Sequence, residues 1–373
     1  MSWANVKMDY LGRVVTGKTP PTKQRKYFDG EYPFITPSDL QYDSFRVTKT
    51  ATTVTEEAKS KFANQFLPEN AVTYTCIASV GKIGITTMDS LTNQQINSII
   101  VNDAHDYRFV YYLLRNETRR IQGMCSGVAT PIINKSDFEK VDIRVPINQK
   151  VEINIASILS AYDDLIENNR RRIQLLEQAA RLLYKEWFVH LRFPGHEHTK
   201  IINGIPAGWE KKTLGEFAPL NYGRALKEDN RISGSFPVYG SSGIVGSHIK
   251  ALVSGPTIIV GRKGNVGSVY WSSDDCWPID TVYYIDTSKC NFFLYYTLQS
   301  MSFISTDVAV PGLNRDLAHS RNIIFPEVKI LQLFEDTVIP LHKQMDVLRN
   351  TIERLQKARD LLLPRLMNGE IAV

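Results

Sequence analysis

Gly12-Arg-Val-Val-Thr-Gly17-Lys18-Thr19 spells the phosphate-cradling pattern GxxxxGK[ST] in full. That pattern works only when a helix starts at the lysine, so that free N–H groups and the helix dipole face the phosphate. Here Pro20-Pro21 follow at once, and Thr22 to Lys26 are polar without amphipathic period, so a nucleotide site is not expected. Pro37-Ser-Asp39 with Glu57-Ala-Lys59 has the loose spacing of a metal-dependent nuclease site. His196-Glu-His198 offers two imidazoles for a metal, but no third ligand stands near them in sequence. The chain contains no GxSxG elbow, no local Cys–His signature and no (Asn/Asp/Ser)-Pro-Pro-(Tyr/Phe) motif for amino-group methylation. Its four cysteines are far apart and form no CxxC pair, which argues against a zinc ribbon or a disulfide framework. Catalysis by this chain therefore has little support.

Recognition chemistry is better represented. Gly261-Arg262-Lys263-Gly264-Asn265-Val266-Gly267-Ser268 follows an apolar, β-branched run. Glycines allow a backbone to come close to another surface, and Arg and Lys between them can meet phosphate or a guanine edge. Lys82 lies in a weaker counterpart, Ser79 to Gly84. Asn221-Tyr222-Gly223-Arg224 and Tyr239-Gly-Ser241-Ser242-Gly243 add polar and aromatic groups with base-edge chemistry, and Gln94, Gln95 and Asn97 supply amides suited to adenine. Lys18, Thr19 and Lys23 complete the candidates in the first half. A solvated hairpin turn remains the plain alternative for each loop taken singly.

These loops need elements to hold them. The chain has 373 residues, 43% apolar and 10% aromatic, enough for two or three domains with real cores. No apolar run approaches the ~18 residues of a membrane span, and no secretory leader is legible, so a cytoplasmic protein is expected. The chain is also written twice. Trp3 with Leu11-Gly12 is answered by Trp209 with Leu214-Gly215, and Gly30-Glu-Tyr-Pro-Phe-Ile35 by Gly234-Ser-Phe-Pro-Val-Tyr239. Gly81-Lys-Ile-Gly84 is answered by Gly264-Asn-Val-Gly267, and Val128-Ala-Thr-Pro131 by Val308-Ala-Val-Pro311, in the same order.

Each copy ends in a heptad. In the first, Ile155, Ile158, Tyr162, Leu165, Asn169, Ile173, Leu176, Ala180, Leu183 and Trp187 make the seam. In the second, Leu331, Phe334, Val338, Leu341, Met345, Leu348, Ile352, Leu355, Arg359, Leu362 and Leu366 step 3,4 throughout, with Pro340 expected to kink or split the helix. Residues 161–190 hold five basic and five acidic residues and 327–371 seven of each, so the net charge of +5 lies in the modules and not in the helices. The modules read as mixed α/β: strands at 70–75, 97–101 and 256–260, helices at 106–122 and 291–302, and a loop at 240–246. The fold class is thus α+β, with two similar globular domains, residues 1–150 and 194–326, each followed by a long helix, 151–193 and 327–373.

Two diverged modules, each closed by a heptad helix, resemble the DNA-specificity subunit of type I restriction–modification enzymes. The residues that carry the resemblance are Leu11-Gly12 with Thr16-Gly-Lys-Thr-Pro20, Gly30 to Thr36, Gly81-Lys-Ile-Gly84, and Arg262-Lys-Gly-Asn-Val-Gly267. Leu159-Ser-Ala-Tyr-Asp-Asp-Leu-Ile166, Leu182-Leu-Tyr-Lys-Glu-Trp-Phe188, Pro206-Ala-Gly-Trp209 and Leu361-Leu-Leu-Pro-Arg-Leu-Met-Asn-Gly369 extend it over nearly the whole chain. The resemblance implies a non-catalytic subunit whose two target-recognition domains read the halves of a split, asymmetric site in double-stranded DNA. It implies an antiparallel coiled coil as spacer, with Ile173, Leu176 and Leu183 against Leu348, Ile352 and Leu355. It also implies two adenine-methyltransferase subunits that bring S-adenosylmethionine, and motor-nuclease subunits that use ATP and Mg, with no cofactor in this chain. The competing expectation is a stand-alone nuclease or nucleotide-dependent enzyme built on the patterns set aside above.

Overall fold

The computed structural model describes residues 2–127, 130–303 and 312–373. The chain divides into two compact units, Met1–Arg170 with Arg349–Val373, and Arg171–Leu348. In the first unit, strands β1 (Gly12–Thr16), β2 (Val72–Thr75), β3 (Ile83–Thr86) and β4 (Ile96–Val101) lie in the order β1-β4-β2-β3, all antiparallel. Helix α1 (Tyr107–Gly123) follows, and α2 (Gln149–Tyr184) begins in the first unit and ends in the second. In the second unit, β5 (Asn221–Tyr222), β6 (Thr257–Gly261), β7 (Val269–Ser272) and β8 (Val282–Ile285) repeat the pattern as β5-β8-β6-β7, again antiparallel. Helix α3 (Phe292–Ser300) follows, and α4 (Val328–Met367) begins in the second unit and ends in the first. The motif Val128 to Pro131 lies partly, and Val308 to Pro311 wholly, outside the described residues.

Composition explains the central strands. β2 and β6 read Val-Thr-Tyr-Thr and Thr-Ile-Ile-Val-Gly and are buried along their whole length. A strand covered on both faces reads as a continuous run and not as an alternation. Each module also pairs a second strand in parallel, Phe34 with Leu91 in one and Val238 with Trp277 in the other. The helices that cover the sheets start at side-chain caps: Asp106 accepts from the N–H groups of Arg108 and Phe109, and Asn291 from that of Leu294.

Three expectations change. Residues 240–246 are not a loop: Phe236–Gly240 and Gly243–His248 form a hairpin joined by Ser241 and Ser242 alone. Gly243, at φ 98°, permits that tight reversal. Pro340 does not split the last helix, which runs from Val328 to Met367. Phe334 and Val338 before the proline and Met345 after it are buried, so packing on both sides outweighs the lost backbone donor. The seam of α2 holds at Ile155 and Asn169, which are buried as expected, but shifts by one position between them: Ile158 and Leu165 are 38% and 50% exposed, while Leu159, Asp163 and Ile166 are buried. A count of apolar residues misses that face because a carboxylate stands in it.

Asp163 is buried because neighbours satisfy it. It accepts from Tyr112 Oη at 2.5 Å and pairs with Arg359, both ions being almost fully enclosed. Arg359 Nε also donates to Asp360 at 3.0 Å, and Arg115 donates to the same carboxylate at 2.9 Å. This network links α1, α2 and α4 within the first unit. In the second unit the contacts are aromatic: Phe188 packs on Phe334 and Phe293 with ring centroids 4.9 and 4.8 Å apart. Of the expected helix-packing residues, Leu348 is buried and Ile173, Leu176, Leu183, Ile352 and Leu355 are partly buried.

Candidate nucleic-acid interface

At the end of β6 the chain enters the loop 262–268, and backbone bonds hold it from several sides. The N–H groups of Arg262 and Lys263 both donate to Thr281 O, at 2.9 and 3.1 Å, and Leu313 N donates to Arg262 O at 2.9 Å. Gly267, at φ 77°, returns its N–H to Gly261 O at 2.9 Å. The hairpin turn supports the loop from the side: Ser268 Oγ and Tyr270 Oη donate to Ser241 O at 2.7 and 3.1 Å, and Asn265 N donates to Ser241 Oγ at 3.4 Å. With its ends bonded, the loop leaves Lys263, Gly264 and Asn265 exposed.

Several sequence candidates of the second module gather here. The Arg262 guanidinium lies 5.0 Å from the Tyr222 ring centroid and 5.7 Å from that of Tyr283, and its Nη1 donates to Asp280 O at 3.2 Å. Arg224 is exposed on the neighbouring turn, which is fixed by its N–H to Pro278 O at 3.0 Å. Ser242 is exposed beside half-buried Ser241. Tyr239 is a correction: it is 7% exposed and packs with Ile259, Cys276 and Val282, because the strand Phe236–Gly240 turns it inward. Arg315 is the residue the sequence reading missed. It opens the short helix Arg315–His319, and its guanidinium lies 5.1 Å from the same Tyr222 ring. An arginine one residue after a capping asparagine carries no sequence signal of this role.

The first module repeats much of this frame. Cys76 N donates to Gln95 O and Ile133 N to Cys76 O, as Arg262 N does to Thr281 O and Leu313 N to Arg262 O. Gly81 N donates to Thr75 O, as Gly267 N does to Gly261 O. Gly17 and Lys18 donate to Ile96 O and Thr92 O, as Gly223 and Arg224 donate to Val282 O and Pro278 O. These bonds correct the repeat register in the loop. Gly81 corresponds to Gly267, three residues from the pairing that the Gly-x-x-Gly spacing suggests. Cys76, Ile77, Ala78 and Ser79 therefore stand where Arg262, Lys263, Gly264 and Asn265 stand in the second module. Burial pushes the Cys76 thiol up to about 11, so that position carries no charge.

The other first-module candidates divide. Lys18 and Lys23 are exposed, and Lys18 occupies the place of Arg224. Thr19 Oγ1 donates to Gln94 Oε1 at 2.6 Å on the same rim, and Gln95 Oε1 accepts from Asn93 at 3.1 Å. Lys82 is tied back, its ammonium donating to Pro37 O at 3.0 Å. Asn97 is a second correction: it is 1% exposed in the middle of the sheet and accepts from Thr16 Oγ1 at 2.7 Å, so its amide faces no ligand.

The residues of the rejected catalytic patterns are engaged elsewhere. Asp39 accepts from the N–H groups of Thr36 and Ala51, Glu57 pairs with Lys26, and Lys59 pairs with Asp89. The strand β1 leads into a loop at Lys18 and not into a helix. Among the described residues no three His, Cys, Asp or Glu side chains converge as a metal site.

Comparison with known proteins agrees with a duplicated module. The family model described as "Type I restriction modification DNA specificity domain" matches residues 2–178 and again 206–347. The chain is 28% identical, over 100% of its length and 94% of the other's, to the MjaIX specificity subunit of a type I restriction enzyme from Methanocaldococcus jannaschii. It is 29% identical to the HindI specificity subunit from Haemophilus influenzae over 47% of this chain and 39% of that one. The crystal structure of a type I restriction–modification S subunit from M. genitalium has the same fold, with a TM-score of 0.64 at 19% identity, covering 98% of this chain and 96% of that one.

Proposed function

Because the chain belongs to the family of type I restriction–modification DNA specificity proteins, whose domain it carries twice, we propose that each module reads one half of a split, asymmetric site in duplex DNA. The chain is the specificity subunit of a restriction–modification complex, and it is not itself an enzyme. One observation carries the bipartite reading: a backbone frame with the same main bonds in both modules presents unlike side chains at its loops. Direct readout needs side chains held at a base edge, so a fixed frame with different side chains reads different bases.

The remaining partners follow from the same reading. Two adenine-methyltransferase subunits would dock on the chain and supply S-adenosylmethionine, and motor-nuclease subunits would supply the ATP and Mg chemistry. The target adenine would flip into a partner's pocket, because its amino group is out of reach inside the base stack. The two long helices would pair as a coiled coil and set the gap between half-sites. The complex would act in the cytoplasm, where the DNA is; no helix among the described residues is long and apolar enough to cross a membrane.

The test is a map of the methylated motif in cells carrying the complex. Arg262→Ala or Lys263→Ala is expected to weaken binding or relax base choice at one half-site only. A direct base contact costs about 1–3 kcal/mol and is base-selective, whereas a phosphate contact weakens all sequences alike. If both variants leave affinity and both half-sites as they were, the loop does not touch DNA.

A second expected result separates this reading from an enzymatic one. The purified chain, given DNA and S-adenosylmethionine without a partner, is expected to transfer no methyl group. Robust transfer, scored by radiolabel incorporation, would refute the division of labour.

A further inference from the structure

Two guanidiniums share one tyrosine ring in the second module. Arg262 and Arg315 lie 5.0 and 5.1 Å from the centroid of Tyr222, so they stand at most about 10 Å apart and repel one another. Tyr222 is half exposed, so the group faces solvent. Among the described residues carboxylate neutralisation is slight: Arg262 makes no ion pair, and Arg315 reaches only Asp316, at 4.0 Å and with that side chain 89% exposed. Arg315 Nε is buried without a hydrogen-bond partner among the described residues. Both arginines are held at the backbone, Arg262 by Thr281 and Leu313, and Arg315 by the helix that Asn314 caps. The ring between them attracts each cation through its face and limits where each can swing.

From this we infer that Arg262, Tyr222 and Arg315 form a phosphate clamp on the DNA backbone at the second half-site, present in the second module alone. This inference rests on the reading of the chain as a DNA-specificity subunit. A phosphodiester suits the pair better than a base does. Phosphate oxygens accept from several forked donors at once, whereas base readout by both guanidiniums would need a separate guanine for each. The first module offers no equivalent. Thr16 stands at the place of Tyr222, neutral Cys76 at that of Arg262, and Lys135 at that of Arg315, where its ammonium lies 3.5 Å from Glu139. The two half-sites are therefore bound with unequal electrostatic weight.

The test uses the complex reconstituted with its partner subunits and a duplex carrying its motif. Affinity is measured against salt concentration for the wild type, Arg315→Gln, Arg315→Lys and the matched first-module control Lys135→Gln. Arg315→Gln is expected to lower the slope of log K against log salt by about one, with the methylated motif unchanged. Arg315→Lys keeps the charge and should keep the slope, and Lys135→Gln should leave it as in the wild type. Melting curves that match the wild type establish that the variants fold. An unchanged slope in Arg315→Gln overturns the clamp. So does a relaxed base preference in Arg315→Lys, which would make Arg315 a base reader because lysine cannot copy its fork. Failure of the underlying reading shows separately, as a wild-type complex that binds motif and scrambled duplexes alike.

Discussion

Asp163→Ala is expected to destabilise the first unit by about 3–5 kcal/mol, the cost of leaving a buried charge without its partner. The orphan would be Arg359, 1% exposed, with only Asp360 left to answer it. Burial lifts the Asp163 carboxyl above the usual carboxylate range, against the pull of Arg359, Tyr112 and Arg115. For Arg359 burial pulls the opposite way, and Asp163 and Asp360 together hold the guanidinium above its ordinary value. The sign matters. A carboxyl whose folded pKa lies above its unfolded one binds a proton on folding, so above that pKa its ionisation costs stability. The two shifts act oppositely on stability, and Asp163→Leu with Arg359→Met, which leaves no buried charge unpaired, should cost less than either single change. Urea denaturation of the two single variants and the double variant decides the matter. A mild single variant, or a double variant as damaged as the singles, would contradict this account.

Gly223→Ala is expected to abolish recognition of the second half-site while leaving the first intact, and Gly17→Ala to do the reverse. Neither glycine is needed for its φ. A Cβ on Gly223 would stand 2.1 Å from Ile279 O and 2.7 Å from Pro278 O, and one on Gly17 would stand 2.2 Å from Asn93 O and 2.3 Å from Thr92 O. All of these are backbone atoms, so the strand pairing must open to admit the methyl. Overpacking of this kind costs about 3 kcal/mol, at the upper end of its usual range. The same backbone atoms accept from or flank the bonds that place Arg224 and Lys18. Binding to duplexes that carry one correct and one scrambled half-site measures each loss. If either alanine variant damages both half-sites equally, the modules are not independent readers.

The duplication was legible in the sequence because paired glycines, tryptophans and heptads recur in one order. Three features were not, each for a physical reason. Asp163 hid the true face of the first long helix, since a count of apolar residues passes over a satisfied carboxylate. The loop register slipped by three because Gly81 and Gly84 both offer a glycine to match against Gly267, and only the Gly81 N–H to Thr75 O bond shows which is equivalent. Ala78, at φ 63°, stands where Gly264 has φ 78°, so the left-handed position carries no glycine in one copy and could not mark the alignment. Among the site residues, Arg262, Tyr222 and Arg224 stood out by type and spacing. Tyr239 and Asn97 looked alike in composition but turn inward, because strand alternation decides direction and a loop pattern does not.

The backbone bonds that fasten the two loops do not depend on the residues they carry. Thr281 O and Leu313 N hold Arg262 by its main chain, and Gln95 O and Ile133 N hold Cys76 in the same manner. Apart from the left-handed position at Gly264 and Ala78, folding therefore places little demand on the identity of the exposed side chains at the tip. On the proposed reading, a change there is judged almost wholly by the DNA it binds. A lineage carrying this chain can thus alter the sequence it marks in one half without repairing the other, and each module can acquire a new target within an inherited scaffold.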